Sequence, residues 1–134
     1  MADIEINQDL PANGMFNMIG YSWGAIIVAR SALYHANMGV TVDNLVLIGA
    51  PVNQSLLQAV QSHPLIKKTW IINLTIYGDP IYAGIRDKEI IDSSILLGQQ
   101  MLEGSGHFYY SGSDDEGMQR RRQLARTLHG YGLR

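Results

Sequence analysis

The chain has 134 residues, a formal net charge of −2 and no cysteine, and 46% of its residues are apolar while 16% are charged. This length fits one domain with a core of modest size. Binding to a phosphate backbone needs a basic excess, so nucleic acid is excluded as a partner. The absence of cysteine excludes disulfides, thiolate metal sites and a cysteine nucleophile.

The N-terminal segment, residues 1–14, is acidic and polar and ends in the breaker-rich sequence PANG. It has neither the positive end nor the apolar centre of a secretory signal. No apolar run reaches the length of about 18 residues that a membrane-spanning helix needs. We interpret the chain as a soluble protein without a membrane span that is cytoplasmic as synthesised. Export by a route that needs no signal sequence is the alternative.

Strand-like and helix-like segments alternate along the rest of the chain. The predicted strands cover residues 15–21, 44–50 and 69–77, and the predicted helices cover residues 23–38, 53–62 and 115–129. The strands are short apolar runs without polar alternation, which is typical of a parallel sheet covered on both faces. Apolar residues cover most of the first helix, which indicates a well-buried helix that ends at Gly39. The sequence predicts an α/β fold with a mostly parallel sheet and flanking helices, in a single domain over residues 1–134 with residues 1–14 as its lead segment.

A serine lies between two glycines where the first predicted strand meets the first predicted helix, in the sequence GYSWG. In a G-x-S-x-G nucleophile elbow the chain turns so sharply that the serine has strained backbone angles and projects above the sheet. Gly20 and Gly24 suit this turn because bulky side chains beside the serine would collide. The N-terminus of the following helix places N–H groups next to Ser22, where they can stabilise an oxyanion. The pattern predicts that Ser22 is a nucleophile.

A serine nucleophile needs a histidine to take its proton and a carboxylate to orient that histidine, in the chain order Ser, acid, His for this fold class. Asp79 follows the third predicted strand, at the end of the sheet where ligands bind in α/β folds. The alternative is that Asp79 is a turn residue before Pro80, in which case Asp87 and Asp92 are the reserve acids. His107 lies in the glycine-rich sequence EGSGHFYY before the last helix, and it is the candidate base.

The sequences GYSWG, VLIGAP, IYGDP and GSGHF together resemble the C-terminal half of an α/β-hydrolase, a member of the superfamily of serine esterases, lipases and thioesterases. The resemblance covers about residues 15–129 and includes the order of the elements. It implies that Ser22 is the nucleophile, Asp79 the acid and His107 the general base. It also implies that the backbone N–H of Trp23 is one oxyanion donor, and that neither a cofactor nor a metal takes part.

The chain departs from this family before the nucleophile strand. Family members have several strands there, and the loop after an early one provides the second oxyanion N–H. Only about 14 residues precede the nucleophile strand here, so the second donor has no candidate in this chain. The nucleophile strand is then expected at the edge of the sheet, where an exposed apolar strand favours pairing with another chain. We therefore expect a partial fold that is completed by a second protein chain, by self-association or by a larger parent protein.

The segment between Asp79 and His107 also departs from the family, which usually has a final strand there. Residues 90–97, with the sequence IIDSSILL, are interpreted as that strand or as part of a helix or lid. Apolar residues near a hydrolase site often line an acyl pocket, although core packing is the alternative for each of them. The pocket candidates are Tyr21, Ile81, Tyr82, Ile85, Leu96, Leu97 and Met101.

Two functions from different classes fit these observations. The first is a serine hydrolase that cleaves an ester or thioester, including a lipid ester, through an acyl-enzyme. The second is a non-catalytic, hydrolase-derived module that binds a partner protein through its exposed sheet edge. The ordered series of Ser22, Asp79 and His107 favours the first function, and the short stretch before the nucleophile strand favours the second.

Overall fold

The computed structural model describes residues 14–86, 88–89, 93, 96–97, 100 and 105–134. The strands are β1 (Asn17–Tyr21), β2 (Val42–Ile48) and β3 (Ile66–Ile72), the α-helices are α1 (Trp23–Asn37), α2 (Gln54–Ser62) and α3 (Asp115–Gly130), and single-turn 3-10 helices cover Thr75–Tyr77 and Gly106–Phe108. Asp87, Asp92 and Met101 lie outside the described residues. Within the described ranges, no helix is both long enough and apolar enough to cross a membrane.

The three strands form one parallel sheet in the order β1-β2-β3. Tyr21 at the end of β1 is paired with Ile48 at the end of β2, and Ile48 is paired in turn with Ile72 at the end of β3. The carboxyl ends of all three strands therefore lie together, which is where open α/β sheets bind their ligands. The predicted α/β fold with a mostly parallel sheet is confirmed.

Helices cover both faces of this sheet. On one face, Leu45 and Leu47 of β2 pack in a buried cluster with residues of α1 and α2. On the other face, Val46 and Ile48 pack in a second cluster with Leu128 of α3. Successive side chains of a strand point to opposite faces, so burial on both faces requires the continuous apolar run that β2 has.

The third strand begins and ends earlier than the predicted range of residues 69–77. It covers Ile66–Ile72, and its last residue is paired with Ile48, the last residue of β2. Because β2 ends there, the residues after Ile72 have no neighbouring strand among the described residues with which to pair. Thr75–Tyr77 instead forms a 3-10 turn that ends at Gly78, whose φ is 89°. The β-branched residues after Ile72 therefore form a turn at the carboxyl end of the sheet.

Helix α1 is buried on one face only, which corrects the expectation of a well-buried helix. Its inner face is a row of small residues against the sheet, including Ala25, Ala29 and Ala32. The large apolar side chains on its opposite face are each more than half exposed: Trp23, Ile27 and Tyr34 within the helix and Met38 directly after it. Their spacing places them on one side of the helix, and we call them the outer stripe.

Strand β1 has one paired edge and one edge that no other strand of the described residues occupies. The backbone of Phe16 and that of Ser22 bond to the chain of β2, at 2.8 Å and 2.9 Å. Successive residues of a parallel strand point their N–H and C=O groups to opposite sides, so those of Asn17, Ile19 and Tyr21 point away from β2. The Ile19 side chain is 51% exposed. We call this side of the strand the free edge of β1.

The described part of residues 90–97 follows the helical alternative. Leu96 and Leu97 are helical, and the N–H of Leu97 donates to the carbonyl of Ser93 at 3.0 Å. A bond to the fourth residue back is the α-helical pattern, and a strand would not form it.

Candidate active site

Ser22 lies at the junction of β1 and α1, at the carboxyl end of the sheet. Its φ is 56° and its ψ is −127°, and among the described residues it is the only non-glycine residue with a positive φ. A side chain at such angles strains the backbone, and this strain persists only where the surroundings enforce it. The N–H of Ser22 donates to the carbonyl of Ile48 at 2.9 Å, and its carbonyl accepts from the N–H of Ala25 at 3.0 Å. Strand β2 and helix α1 thus hold the turn from both sides.

Gly20 is required by the close approach of α1 to β1. A Cβ at this position would lie 2.6 Å from the Cα of Ala25 and 2.8 Å from the carbonyl oxygen of Gly24. Both are backbone atoms, so no side-chain rotation could make room for it. Gly24 is the second residue of α1, directly after Trp23. The two glycines of the predicted elbow therefore meet where the strand turns into the helix.

Asp79 lies just after the 3-10 turn that follows β3, and its side chain has no exposed surface. Its Oδ1 accepts a hydrogen bond from the N–H of Ile81 at 2.8 Å. Its Oδ2 lies 2.9 Å from Nδ1 of His107. Asp79 is therefore a turn residue, as the alternative interpretation has it, and the same carboxylate still has an oxygen with which to orient the histidine.

His107 lies in the second 3-10 turn, and its side chain is 7% exposed. Its Nε2 is 2.7 Å from Oγ of Ser22. A buried carboxylate at Nδ1 assigns the proton to that nitrogen, which leaves Nε2 as an acceptor facing the Ser22 hydroxyl. The structure thus brings Ser22, His107 and Asp79 together in one hydrogen-bonded series.

Gly49 provides the space in which the carboxylate meets the imidazole, and sequence reasoning did not single it out. It directly follows β2, with a φ of 51°. A Cβ at this position would lie 3.4 Å from Oδ2 of Asp79 and 3.5 Å from Nδ1 of His107. The signal for it was a glycine at the end of a buried strand, beside the strand that carries the nucleophile.

Gln100 connects the acid loop to the histidine loop, and it was also missed. Its Nε2 donates to the carbonyl of Gly78 at 2.5 Å, and its Oε1 accepts from the N–H of His107 at 2.9 Å. The residue is only 5% exposed. A glutamine in the largely apolar sequence ILLGQQML carries no motif, so no sequence signal pointed to it.

An aromatic stack joins the same two loops closer to the surface. The rings of Tyr77 and Tyr109 are nearly parallel, with centroids 3.8 Å apart. The guanidinium of Arg120 in α3 lies 4.0 Å from the centroid of the Tyr109 ring, a cation–π distance. Tyr77 precedes Asp79 by two positions and Tyr109 follows His107 by two positions, so the stack fixes both loops next to the residues that meet.

A small cavity of about 30 Å³ lies beside the serine, and its lining residues are Ser22, Trp23, Pro51, Ile81, Leu97 and His107. Two of the pocket candidates, Ile81 and Leu97, thus lie at the serine. The hydroxyl of Tyr82 instead donates to Oε2 of Glu89 at 2.5 Å. This bond and that from Arg86 lower the pKa of Glu89 to about 2.

Tyr21 points beneath the histidine loop. Its hydroxyl donates to the carbonyl of His107, and the two rings are stacked with centroids 5.8 Å apart. Burial and the nearby charge of Asp79 raise the pKa of Tyr21, and a hydrogen bond with Ser111 offsets part of this rise. The resulting pKa is about 12. The Tyr21 hydroxyl is therefore protonated near neutral pH and can act as a hydrogen-bond donor there.

No known family model matches this chain, and no curated protein or solved structure is detectably similar to it. The likeness to the α/β-hydrolases therefore depends on the residues and their geometry alone.

The arrangement has the chemistry of an activated nucleophile. A serine hydroxyl becomes reactive when a base within hydrogen-bond distance takes its proton and a third group orients that base. The N–H of Trp23 is the first of helix α1, so it has no acceptor within the helix and lies at the positive end of the helix dipole. Charge that develops beside Ser22 can be stabilised there.

Proposed function

We propose that this chain is a serine hydrolase of the α/β-hydrolase type, which cleaves an ester or thioester through an acyl-enzyme. The observation that supports this most directly is the continuous series from Oγ of Ser22 to His107 Nε2 at 2.7 Å and from His107 Nδ1 to Asp79 at 2.9 Å. Strained backbone and buried ionisable groups cluster at functional sites, because both cost stability. A buried carboxylate, a histidine and a serine at a strained turn therefore favour a functional role over a purely structural one.

The reaction follows from these positions. Oγ of Ser22 attacks the substrate carbonyl carbon while its proton passes to Nε2 of His107. The resulting oxyanion is stabilised by the N–H of Trp23, and its collapse expels the alcohol or thiol, which takes the proton from His107. A water molecule then gives its proton to His107 and attacks the acyl-serine, which releases the acid and restores the Ser22 hydroxyl. Asp79 stays ionised and holds the histidine tautomer throughout.

The surroundings of Ser22 favour a substrate with an apolar acyl group. The cavity beside the serine has the apolar side chains of Trp23, Pro51, Ile81 and Leu97 in its wall. Apolar walls with few polar groups favour hydrocarbon over charged substituents. Esters and thioesters of hydrophobic acids, lipid esters included, are therefore the proposed substrate class, and because the cavity holds only about 30 Å³, most of a longer acyl chain would lie outside it.

A fluorophosphonate probe tests the proposal because it phosphonylates activated serines. We expect the full chain to be labelled at Ser22, and the Ser22→Ala variant to show no labelling. Ser62→Ala is the matched control, since Ser62 is an exposed residue of α2 whose hydroxyl donates to the carbonyl of Gln58 at 2.7 Å. A wild-type chain that stays unlabelled at every probe concentration rules out catalysis by this chain on its own.

The free edge of β1 favours a second function, that of a protein-binding module. Ile19 is half exposed there, and the N–H and C=O groups on that side have no strand partner among the described residues. A partner that adds a strand would satisfy these groups and cover Ile19. The two functions are separable, because Ser22→Ala removes hydrolysis and leaves this edge unchanged. Binding that persists in Ser22→Ala, in a chain that labels poorly as wild type, would favour the module.

A further inference from the structure

The backbone of His107 is held at both ends by side chains that come from elsewhere in the chain. Its N–H donates to Oε1 of Gln100 at 2.9 Å, and its carbonyl accepts from the hydroxyl of Tyr21. The imidazole projects from the peptide between these two contacts. Fixing the peptide therefore fixes the position from which Nδ1 and Nε2 reach their partners.

Each of these contacts also connects the histidine to another residue of the series. Tyr21 directly precedes Ser22, so its hydroxyl ties the histidine loop to the nucleophile strand. The other end of the Gln100 amide donates to the carbonyl of Gly78 at 2.5 Å, and Gly78 directly precedes Asp79. The three loops are thus joined in the layer just outside the reacting atoms.

A glycine in the histidine loop leaves room for the side chain of Gln100. Gly106 has a φ of 53°, and a Cβ there would lie 2.2 Å from the carboxamide carbon of Gln100. The amide of Gln100 occupies the space that a side chain at position 106 would need. Gln100 is therefore part of the packing of this loop, in addition to its two hydrogen bonds.

We propose that Gln100 and Tyr21 are positioning residues that hold the His107 backbone. Their effect is to keep the imidazole in line between the Ser22 hydroxyl and the Asp79 carboxylate. Displacements of about 1 Å at a catalytic group can cost about a hundredfold in rate, so fixed supports of this kind matter for catalysis. The catalytic consequence rests on the proposed hydrolase function, whereas the geometry of the imidazole can be tested without it.

The first arm of the test measures fluorophosphonate labelling of the full chain. We expect Tyr21→Phe, which removes one hydroxyl, to lower kinact about tenfold, and Gln100→Ala to lower it about a hundredfold, with KI unchanged in both. The matched controls are Tyr131→Phe, whose ring stacks on Trp70 at 4.6 Å, and Gln58→Ala on the exposed side of α2. Both controls should label at the wild-type rate.

The second arm measures the geometry directly, by proton NMR of the same variants. A proton on Nδ1 of His107 that is bonded to the buried Asp79 should give a resonance far downfield of the amides. We expect this resonance in the wild type and in both controls, and its loss or broadening in Gln100→Ala and Tyr21→Phe. Should Gln100→Ala fail to fold, Tyr21→Phe decides by itself, because a single hydroxyl is removed and the ring remains.

The two arms separate the two proposals. An unlabelled wild type with an intact resonance that the variants lose would end the hydrolase proposal and support the positioning of His107. A labelled wild type whose variants keep both the rate and the resonance would overturn the positioning proposal and leave the hydrolase standing. Absence of the resonance in the wild type would also overturn it, because the imidazole would not be held.

Discussion

The two sides of strand β1 differ in how completely they are covered. At its carboxyl end, on the side toward β2, the strand leads to the candidate active site, which we call the corner. The side chains of Ser22, His107 and Asp79 all have hydrogen-bond partners there. Throughout the described residues, no buried side-chain nitrogen or oxygen lacks a partner. On the other side, Ile19 is half exposed and its backbone groups face no described strand. One strand therefore borders both a hydrogen-bonded site and an uncovered edge.

The difference teaches that the two regions can be disturbed independently. The corner is determined by contacts among loops of this chain. The free edge and the outer stripe are apolar surfaces, and their coverage depends on what binds them. Changes in the corner should therefore alter reactivity or stability, whereas changes at the edge should alter association. Four predictions test this separation, from the largest effect to the smallest.

The largest effect is expected from Asp79→Asn. An asparagine can still accept the N–H of Ile81 through Oδ1, but its amide group then faces Nδ1 of His107. The histidine must place its proton on Nε2, so it cannot take a proton from Ser22. We expect the labelling rate to fall about ten thousandfold with little loss of stability.

The matched control is Asp43→Asn at the opposite end of the sheet. Oδ2 of Asp43 accepts from the N–H of Phe16 at 2.9 Å, a bond that an asparagine oxygen can keep. Its labelling rate should equal that of the wild type. Equal rates for Asp79→Asn and Asp43→Asn would show that the buried carboxylate has no part in the reaction.

The next effect is on stability, in Gly20→Ala. The added methyl group would lie within 3 Å of the backbone of α1, so strand and helix would have to separate. We expect the free energy of unfolding to fall by about 3 kcal/mol, as for other overpacked sites, measured by urea denaturation. Gly130→Ala is the control, since beyond its own stretch of helix no atom lies within 4 Å of where the Cβ would be, and it should change stability by less than about 1 kcal/mol. Equal denaturation midpoints for the two variants would contradict the proposed need for Gly20.

How far the sequence predicts this molecule depends on whether a feature is local. The elbow could be predicted because its glycines, serine and flanking apolar runs are neighbours in the chain. The start of β3 could not, because Lys67 and Lys68 near its beginning are exposed and hide the apolar pattern. Its end could not either, since the last pair is set by the length of β2 and not by the residues of β3.

The site shows the same limit. Ser22, Asp79 and His107 could be proposed from residue type and chain order, and the structure brings them into contact. Gln100 could not, because its partners are backbone groups that any sequence carries, 22 and 7 positions away. Tyr21 was proposed as a pocket residue, whereas strand alternation already places it on the face of Ile19 and α3. That signal was present, and it predicts the face of the sheet on which Tyr21 lies.

Tyr21 gives a smaller, pH-dependent effect. Its pKa is raised from about 10 to about 12, chiefly by burial, so the folded state holds this proton more tightly than the unfolded state. The stability that the neutral hydroxyl contributes is complete below about pH 10 and is lost as the pH rises toward about 12. We expect the difference in unfolding free energy between the wild type and Tyr21→Phe to be constant below about pH 10 and to change above it. Urea titrations across this range measure it, with all other tyrosines common to both proteins; a difference that starts to change near neutral pH would contradict the assignment.

The smallest effect on the folded chain is expected at the free edge, in Ile19→Lys. Ile19 is half exposed and no described strand lies beyond it, so the change in unfolding free energy should stay within about 0.5 kcal/mol. A lysine on an edge strand opposes the addition of another strand, so any concentration-dependent rise in mass measured by light scattering should disappear. Ile27→Lys places the same charge on the outer stripe of α1, away from the strand edge, and should reduce such association less. A larger effect from Ile27→Lys would show that the association surface is on the helix and not at the strand edge. A wild type that stays monomeric at every concentration would rule out self-association, and it would not bear on the serine chemistry.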